Sequence, residues 1–305
     1  MPVRTNGATS LGGGLKGLFV LESGFDIDTG KSLQGGRLFG RQAFVGIQSG
    51  WGSVLLGRQN TSLYDYVGNY DPLALAPRYG VVTQDTSFTA RADNSIKYVG
   101  GFGGLKVSAF YSAGADSSVA NGSEVPGAPK LGRGFGSYVT YDSGPLSVGV
   151  AYDEVNTGTT TLNPDATARR FSGAGSYVVG SVKLFGGYRW ARGYHGGVIP
   201  GSIAGASNQG GNLYWTGVNW QATPALALAA AAYYQDFKNT GNDPWLFTLN
   251  ADYAFSKRTR AYASLGYIKN KGTSNLGFYD NGKTFGNTNP GQNQFGVTIG
   301  LRQVF

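Results

Sequence analysis

The last twelve residues, "QFGVTIGLRQVF" (294–305), alternate between two kinds of side chain, and this alternation decides the fold. One mostly apolar set consists of Phe295, Val297, Ile299, Leu301, Gln303 and Phe305. The other set consists of Gln294, Gly296, Thr298, Gly300, Arg302 and Val304. Because successive side chains of a β-strand point to opposite faces, a period of two predicts a strand with one apolar and one more polar face.

The same alternation recurs along the whole chain and predicts fourteen strands. They occupy residues 15–25, 37–48, 53–60, 91–100, 105–113, 133–142, 146–155, 168–179, 182–192, 211–222, 226–237, 244–256, 259–270 and 291–305. Short turns such as 101–104 and 143–145 alternate with long polar loops such as 114–132 and 271–290. Hairpins with short turns at one end and long loops at the other indicate an up-and-down antiparallel barrel.

The composition favours a membrane barrel over a soluble β-sandwich. The chain has 51 glycines, 19 tyrosines and 17 phenylalanines, but only 14% of its residues are charged, whereas soluble proteins average about 25%. The predicted strands are long, aromatic residues recur near their ends, and Lys, Arg, Asp, Asn and Gln recur on the second face. Aromatic girdles and a polar interior are typical of transmembrane barrels, whereas a sandwich buries its apolar face.

Residue usage excludes several classes of function. The net charge is +8, but the basic residues are scattered singly, which argues against a nucleic-acid-binding patch. The absence of cysteine excludes disulfides, thiolate metal ligands and cysteine nucleophiles. The single histidine, His195, has no carboxylate or serine partner at a catalytic spacing, so we expect no enzyme, no metal site and no cofactor. "GGGLKG" (12–17) precedes an alternating strand instead of a helix, which excludes a phosphate-binding loop.

Five segments carry a resemblance to a known family, and they occur in that family's order. They are "LGGGLKGLFVLESGF" (11–25), "GRLFGRQAFVGI" (36–47), "VLLGRQ" (54–59), "DNSIKY" (93–98) and "GLRQVF" (300–305). Through them the chain resembles general diffusion porins of the Gram-negative outer membrane, of the beta-proteobacterial type. The resemblance implies an all-β, transmembrane antiparallel up-and-down barrel of the 16-stranded porin type, forming one domain over residues 1–305. It also implies passive diffusion of small hydrophilic solutes and ions across the outer membrane.

The start of the chain differs from the resembled family. In that family two strands precede the "LGGGLK" turn, whereas here only "MPVRTNGATS" (1–10) precedes it, which we interpret as an atypical stub. We therefore expect the first hairpin to be missing, from a truncated or wrongly assigned gene start. An even number of antiparallel strands can still close, so we expect residues 15–25 to pair with residues 291–305.

The resemblance also implies that residues 61–90 fold into the barrel and narrow it; we name this segment the constriction loop. In the resembled porins a basic cluster on the barrel wall faces the loop, and by motif match its counterparts here are Arg41 and Arg91, with Arg58 as a third candidate. Lys97 shares the strand parity of Arg91, so we expect it to point into the lumen as well. A solvated charge without a special role remains the alternative for each of them. For Arg41, strict alternation also conflicts with a lumenal position, because it groups Arg41 with Ala43 and Val45.

The loop side of the constriction differs from the resembled pattern. Many of those porins carry Pro-Glu-Phe-Gly where this chain has "PRYG" (77–80), so Arg78 stands at the position of the glutamate. An aspartate four residues earlier is replaced by Ala74, while Asp65, Asp71 and Asp85 remain in the loop. A more positive constriction attracts anions and repels cations, so we expect an anion-selective channel.

The resemblance further implies the surroundings of the protein. We expect a homotrimer, weakened by the missing hairpin, with the loop 24–36 reaching a neighbouring subunit. We also expect contact with outer-membrane lipid and lipopolysaccharide, assembly by the barrel-assembly machinery through the terminal Phe305, and passage of small anions and hydrophilic solutes. A substrate-specific channel and a non-conducting truncated barrel remain the alternative functions.

Overall fold

Within the residues that the structure describes, the fold is one meandering antiparallel sheet of 15 strands. The computed structural model describes residues 2–76, 78–115, 125–159, 163–197, 199, 210–280, 283–284 and 288–304. The strands are β1 Pro2–Gly12, β2 Leu15–Gly24, β3 Gln42–Ser49, β4 Gly52–Asn60, β5 Arg91–Phe102, β6 Leu105–Ala115, β7 Gly134–Ser143, β8 Leu146–Asn156, β9 Thr167–Val179, β10 Val182–Tyr194, β11 Gly210–Gln221, β12 Leu226–Phe237, β13 Trp245–Ala254, β14 Thr259–Lys269, β15 Tyr279–Asp280, β16 Lys283–Thr284 and β17 Gln294–Gln303. Strands β15 and β16 form a separate two-stranded ribbon, so β14 pairs directly with β17.

Helical structure is confined to the connection between β4 and β5 among the described residues. It consists of α1, Ser62–Val67, and two single 3-10 turns, Val81–Thr83 and Thr86–Thr89. No helix in the described part of the chain has the length and apolarity that crossing a bilayer requires.

The apolar face of the sheet points outward, which confirms the interpretation of the alternation. In β17, Ile299 is 78% exposed and Leu301 is 74% exposed. In β7, Val139 and Tyr141 are exposed, while Tyr138 and Thr140, which alternate with them, are buried. A soluble sheet would bury these apolar side chains, whereas a bilayer solvates them, so the outward face is suited to lipid.

Aromatic side chains form a row across neighbouring strands at the end of the sheet that carries the long loops. The ring centroids are 5.1 Å apart between Tyr188 and Tyr214, 6.3 Å between Tyr214 and Tyr234, and 4.5 Å between Tyr234 and Trp245. Amphipathic rings at one level of a barrel are typical of the boundary between hydrocarbon and headgroups. This row is part of the aromatic girdle that the sequence predicts.

The number of strands differs from the prediction, because residues 2–12 belong to the sheet. We expected an atypical stub there, but β1 pairs with β2 from Pro2 opposite Gly24 to Ser10 opposite Lys16. Since β1 and β3 occupy both edges of β2, the expected pairing of residues 15–25 with residues 291–305 is wrong. No ladder joins β1 to β17 within the described residues, and in a sheet of 15 alternating strands these two edges run in the same direction.

The constriction loop forms a large part of the buried apolar core inside the sheet. Its side chains Leu63, Tyr66, Val67, Tyr70, Val81, Val82 and Phe88 are at most 1% exposed. They pack against buried side chains on the inner face of the wall, including Leu213, Tyr233, Phe237, Leu246 and Ile268. The loop is therefore a packed element of the fold and not a surface segment.

Replacing Phe88 by alanine tests this packing. Phe88 is fully buried and its ring lies 6.3 Å from that of Trp215. We expect Phe88→Ala to lower the free energy of unfolding by about 3–5 kcal/mol, because the cavity cannot collapse against the rigid wall. The measurement is urea-induced unfolding in lipid vesicles. The control is Phe295→Ala, where the ring is 65% exposed on the outward face, and an equal loss in both variants would contradict this account.

Candidate functional site: the constriction loop and its charged wall

The constriction loop leaves the wall at the end of β4 and returns at the start of β5, and its two ends are tied together. The amide of Thr61 donates to the carbonyl of Ala90 at 3.1 Å. The hydroxyl of Thr61 accepts a hydrogen bond from the amide of Tyr64 at 3.2 Å and so caps α1. The helix therefore begins as soon as the chain enters the barrel.

The first half of the loop is fixed to the wall beside it. Helix α1 packs against β6, β7 and β8. The hydroxyls of Ser62 and Ser108 share a hydrogen bond of 2.8 Å. The Tyr66 hydroxyl donates to the carbonyl of Gly149 in β8 at 3.0 Å. These bonds satisfy polar groups that the helix would otherwise bury unpaired.

The second half of the loop crosses the lumen to the opposite wall. The indole nitrogen of Trp215 in β11 donates to the carbonyl of Tyr70 at 2.9 Å. The hydroxyl of Thr248 in β13 donates to the carbonyl of Tyr79 at 2.8 Å. The Tyr79 hydroxyl lies 2.9 Å from that of Thr298 in β17, within hydrogen-bonding distance. The loop thus spans the interior from β6 to β17.

Two glycines of the wall permit this close approach. A Cβ atom at Gly217 in β11 would lie 2.4 Å from Cγ of Pro72, and one at Gly266 in β14 would lie 2.5 Å from Cδ1 of Tyr79. Both separations are shorter than any van der Waals contact. A larger side chain at either position would push the loop away from the wall.

Asp85 fixes the returning arm of the loop to two arginines of the wall. Its carboxylate accepts from Nε of Arg170 at 2.9 Å and lies 3.4 Å from Nη2 of Arg189, and the three side chains are at most 1% exposed. The same carboxylate accepts from the amide of Ser87 at 3.0 Å. Burial raises the pKa of Asp85, but the charges of Arg170 and Arg189 outweigh burial and hold the pKa below its usual value.

Asp71 has a different environment, because no basic side chain in the described part of the chain bonds to it. Its carboxylate accepts from the hydroxyl of Tyr233 at 2.6 Å and from the amide of Leu75 at 2.8 Å. Burial raises the pKa of Asp71, and these hydrogen bonds only partly offset that effect. Asp71 therefore holds the middle of the loop to β12 and is nearly shielded from water.

Asp65 neutralises a basic residue of the wall. It forms an ion pair with Lys97, whose side chain is 3% exposed and whose Nζ also donates to the carbonyl of Asn60 at 3.0 Å. All three acids of the loop are therefore engaged by the wall, and none of them stands opposite the basic cluster as an independent negative charge.

The predicted basic wall is brought together near the loop, with carboxylates that the sequence analysis did not single out. Arg58 donates from Nε to the carbonyl of Gly40 at 2.7 Å and from Nη1 to Asp93 at 2.8 Å. The Asp93 carboxylate also accepts from Nη1 of Arg37 at 3.0 Å. One carboxylate thus pairs with two arginines in this part of the wall.

Arg41 is the residue for which the motif and strict alternation predict opposite faces of the sheet. Strand β3 begins only at Gln42, so strand parity does not control the side chain of Arg41. Val45 and Ile47 point outward and are 58% and 54% exposed, while Arg41 forms an ion pair with Glu22, which is 6% exposed. The motif therefore gives the better prediction than strict alternation at this position.

Arg91 differs from the other basic residues of the wall. Its guanidinium carbon lies 5.4 Å from the ring centroid of Tyr64 on α1, which is a cation–π distance. Its Nη1 donates to the carbonyl of Thr89 at 3.4 Å. Within the described residues, no carboxylate forms a salt bridge with Arg91, so its charge adds to the positive balance of the wall.

Arg78 extends from the loop to the last strand of the sheet. Its Nη1 donates to the hydroxyl of Thr298 at 3.5 Å, and its carbonyl accepts from the hydroxyl of Thr83 at 2.8 Å. Thr298 shares its inward face with Arg302, opposite to that of Ile299. Pro77, the first residue of the "PRYG" motif, lies outside the described residues, as does Phe305.

Three wall residues of this site were not predicted from the sequence: Arg170 and Tyr233, which bond to the loop, and Asp93, which pairs with Arg37 and Arg58. Asp93 shares its parity with Arg91 and Lys97, so the reasoning that placed those two in the lumen could have found it. The partnership between Arg170 and Asp85 had no sequence signal, because 85 residues separate them.

Asp85→Asn tests the ion cluster. We expect a loss of about 3–5 kcal/mol in the free energy of unfolding, because buried Arg189 loses its charged partner and buried Arg170 keeps only Asp153, which lies 3.4 Å away. A carboxylate with a lowered pKa stabilises the fold above its unfolded pKa of about 3.9, and the contribution disappears as the pH falls through the lower folded pKa. The variant should therefore lose part of the acid sensitivity of the parent. The measurement is urea unfolding between about pH 3 and pH 7.

The control for that experiment is Asp28→Asn, which removes an exposed carboxylate in the loop between β2 and β3. It should change the free energy of unfolding by less than about 0.5 kcal/mol. Equal stability of the Asp85→Asn variant and the parent at neutral pH would show that the cluster does not hold the loop.

Comparison with known proteins agrees with this architecture. The chain matches the Gram-negative porin family over residues 2–273. It is 32% identical to an outer membrane porin protein of Bordetella pertussis, over 87% of this chain and 75% of that protein. It is 29% identical to outer membrane porin protein 32 of Delftia acidovorans, over 98% of this chain and 83% of that protein.

A solved structure extends the comparison to three dimensions. The anion-selective porin from Comamonas acidovorans superposes with a TM-score of 0.84 and 26% identity, covering 100% of this chain and 89% of that one. The family match, the inward-folded loop and the outward apolar face agree with one another. The chain therefore belongs to the family of Gram-negative porins, which are channels of the outer membrane and not enzymes.

Proposed function

We propose that this chain is a channel for the passive diffusion of small hydrophilic solutes and ions that prefers anions to cations. The observation that carries the proposal is the charge of the constriction loop. Its one basic side chain, Arg78, extends toward β17, while its three acids are engaged by groups of the wall. The loop therefore opposes the basic wall with little free negative charge.

The charges around the loop support the same preference. The groups described above comprise eight basic side chains: Arg37, Arg41, Arg58, Arg78, Arg91, Lys97, Arg170 and Arg189. They comprise six carboxylates: Glu22, Asp65, Asp71, Asp85, Asp93 and Asp153, the last of which is 3.4 Å from Arg170. Fixed positive charge in a narrow passage with low-dielectric walls raises the local concentration of anions.

The residues that line the mouth of the barrel on the long-loop side also carry a net positive charge. A cavity of about 330 Å³ there is lined by Lys130, Arg133 and Arg169, with Asp165 as its carboxylate. Lys130 and Asp165 form an exposed ion pair at 2.8 Å and Arg169 pairs with Glu154 at 2.6 Å, so Arg133 supplies the remaining positive charge of this mouth. Anions would therefore meet positive charge before they reach the constriction.

The similar porin from Comamonas acidovorans is described as anion-selective. At 26% identity over the whole of this chain, that property supports the same preference here. A substrate-specific channel is the alternative, and strong saturation of the conductance by one solute would favour it. The absence of any conductance would instead favour a barrel that does not conduct.

The proposal also covers the oligomeric state of the protein and its contacts in the membrane. We expect a homotrimer, as a trimer form is described for OmpT of Vibrio cholerae, which shares the fold at 17% identity. The outward apolar face would contact the lipids of the outer membrane, including lipopolysaccharide. We also keep the expectation that the barrel-assembly machinery recognises Phe305, which lies outside the described residues.

Arg78→Glu tests the preference directly. It restores an acid at the loop position and changes the net charge by two units, so we expect the permeability ratio of chloride to potassium to fall by roughly a factor of two or more. The measurement is the zero-current potential of reconstituted channels in a gradient of potassium chloride. The matched control is Lys31→Glu, which makes the same charge change in an exposed outer loop.

The control variant should keep a ratio close to that of the parent, because Lys31 is exposed and its charge is screened by salt. An unchanged ratio in Arg78→Glu, or an equal fall in both variants, would overturn the assignment of Arg78 to the constriction.

A further inference from the structure

A second basic cluster lies on the other side of the constriction loop, toward the short turns of the barrel. It lines a cavity of about 1120 Å³. Four basic side chains from four different elements line this cavity: Arg78 of the loop, Lys183 of β10, Arg260 of β14 and Arg302 of β17. The only acid among its lining residues in the described part of the chain is Asp252 of β13. We name these four basic residues the inner cluster.

Two arginines of the inner cluster face each other across neighbouring strands. Arg260 and Arg302 are direct partners in the register of β14 and β17. Side chains at such positions have Cβ atoms about 4.5–5.5 Å apart, and like charges there repel each other. Both occupy the inward face, because Leu265 and Leu301, at the opposite parity of the two strands, are exposed outward.

The one carboxylate of the cavity does not neutralise both arginines. Asp252 accepts from Nη1 of Arg260 at 3.2 Å, in a pair whose side chains are 16% and 49% exposed. The guanidinium of Arg302 instead lies over the ring of Tyr262, with its central carbon 5.9 Å from the ring centroid. Asp252 therefore offsets the charge of Arg260, whereas Arg302 is stabilised by the Tyr262 ring and keeps its positive charge.

The remaining lining adds neutral donors and an apolar wall. Thr298, Ser264 and Asn250 present hydroxyl and amide groups to the cavity, and Leu75, Trp220 and Leu228 supply apolar surface. Guanidinium groups match the geometry of phosphate oxygens and bind them through paired hydrogen bonds. A cavity of this volume accommodates an organic molecule in addition to the anionic group.

From these features we infer that the inner cluster is a binding site for small phosphorylated organic anions, in series with the constriction. Arg260 and Arg302 hold the phosphate between them, Arg78 and Lys183 strengthen the local field, and the apolar wall contacts the organic part. This inference rests on the proposed channel function, because the ligand reaches the cavity through the pore. It adds a saturable site to a passage that otherwise discriminates by charge.

The test uses single channels of the full chain in potassium chloride, with glucose 6-phosphate as the probe and glucose as the neutral control. Glucose 6-phosphate should interrupt the current in a saturable way, and glucose should not. Inorganic phosphate should block with an apparent affinity several-fold lower than that of glucose 6-phosphate, because it lacks a part that contacts the apolar wall.

Variants at Arg302 give a second readout. Arg302→Gln should weaken the block by roughly tenfold, as expected for the loss of a charge-assisted contact. Arg302→Lys keeps the charge but loses the planar fork, so it should restore only part of the affinity. Lys31→Gln removes an exposed charge from the loop between β2 and β3, so glucose 6-phosphate should block this variant as strongly as it blocks the parent.

The outcomes separate this inference from the proposed function. A parent channel that prefers chloride but is blocked no better by glucose 6-phosphate than by glucose would overturn the inference and leave the function standing. Equal affinities for inorganic phosphate and glucose 6-phosphate, or an unweakened block in Arg302→Gln, would also overturn it. A parent channel without anion preference in potassium chloride alone would contradict the proposed function, whether or not glucose 6-phosphate blocks the current.

Discussion

The buried contact between Asp85 and the two arginines Arg170 and Arg189 is the interaction on which the rest of the interior depends. It joins the returning arm of the constriction loop to β9 and β10 at a place that water does not reach. Separating such charges leaves an uncompensated guanidinium in a low-dielectric site, which costs several kcal/mol. The loop is therefore held across the lumen, and the size and charge of the passage follow from that position.

The rest of the loop is consistent with this anchor, because its buried apolar side chains pack directly against buried apolar side chains on the inner face of the wall. The outer face of the sheet is apolar toward lipid, so the loop and the inner face of the wall together form the packed interior. Close contacts at Gly217 and Gly266 and the hydrogen bonds of Tyr70 and Tyr79 fix its path. Once the loop acids are engaged in this framework, the basic residues around the passage determine its electrostatic character.

Much of the fold could be predicted from the sequence, because a period of two is visible residue by residue. The outward face of β17 and the lumenal parity of Lys97 follow directly from that pattern. The pattern assigns a face but not a partner, so the bond between Asp85 and Arg170 was not predictable. Strand β1 was missed because "MPVRTNGATS" alternates poorly, yet the ladder with β2 pairs it through the backbone. The alternation did not predict the side on which Arg41 lies, because Arg41 precedes the first residue of β3.

The sign of the fixed charge at the constriction determines which ions the channel prefers. The most direct measurement is the zero-current potential of the parent channel between solutions of potassium chloride at different concentrations, because the two ions have nearly equal mobility in water. Fixed positive charge at the constriction predicts a potential with the sign of anion selectivity. This potential should be larger at low ionic strength, where screening is weak. A potential near zero, or one with the sign of cation selectivity, would contradict it.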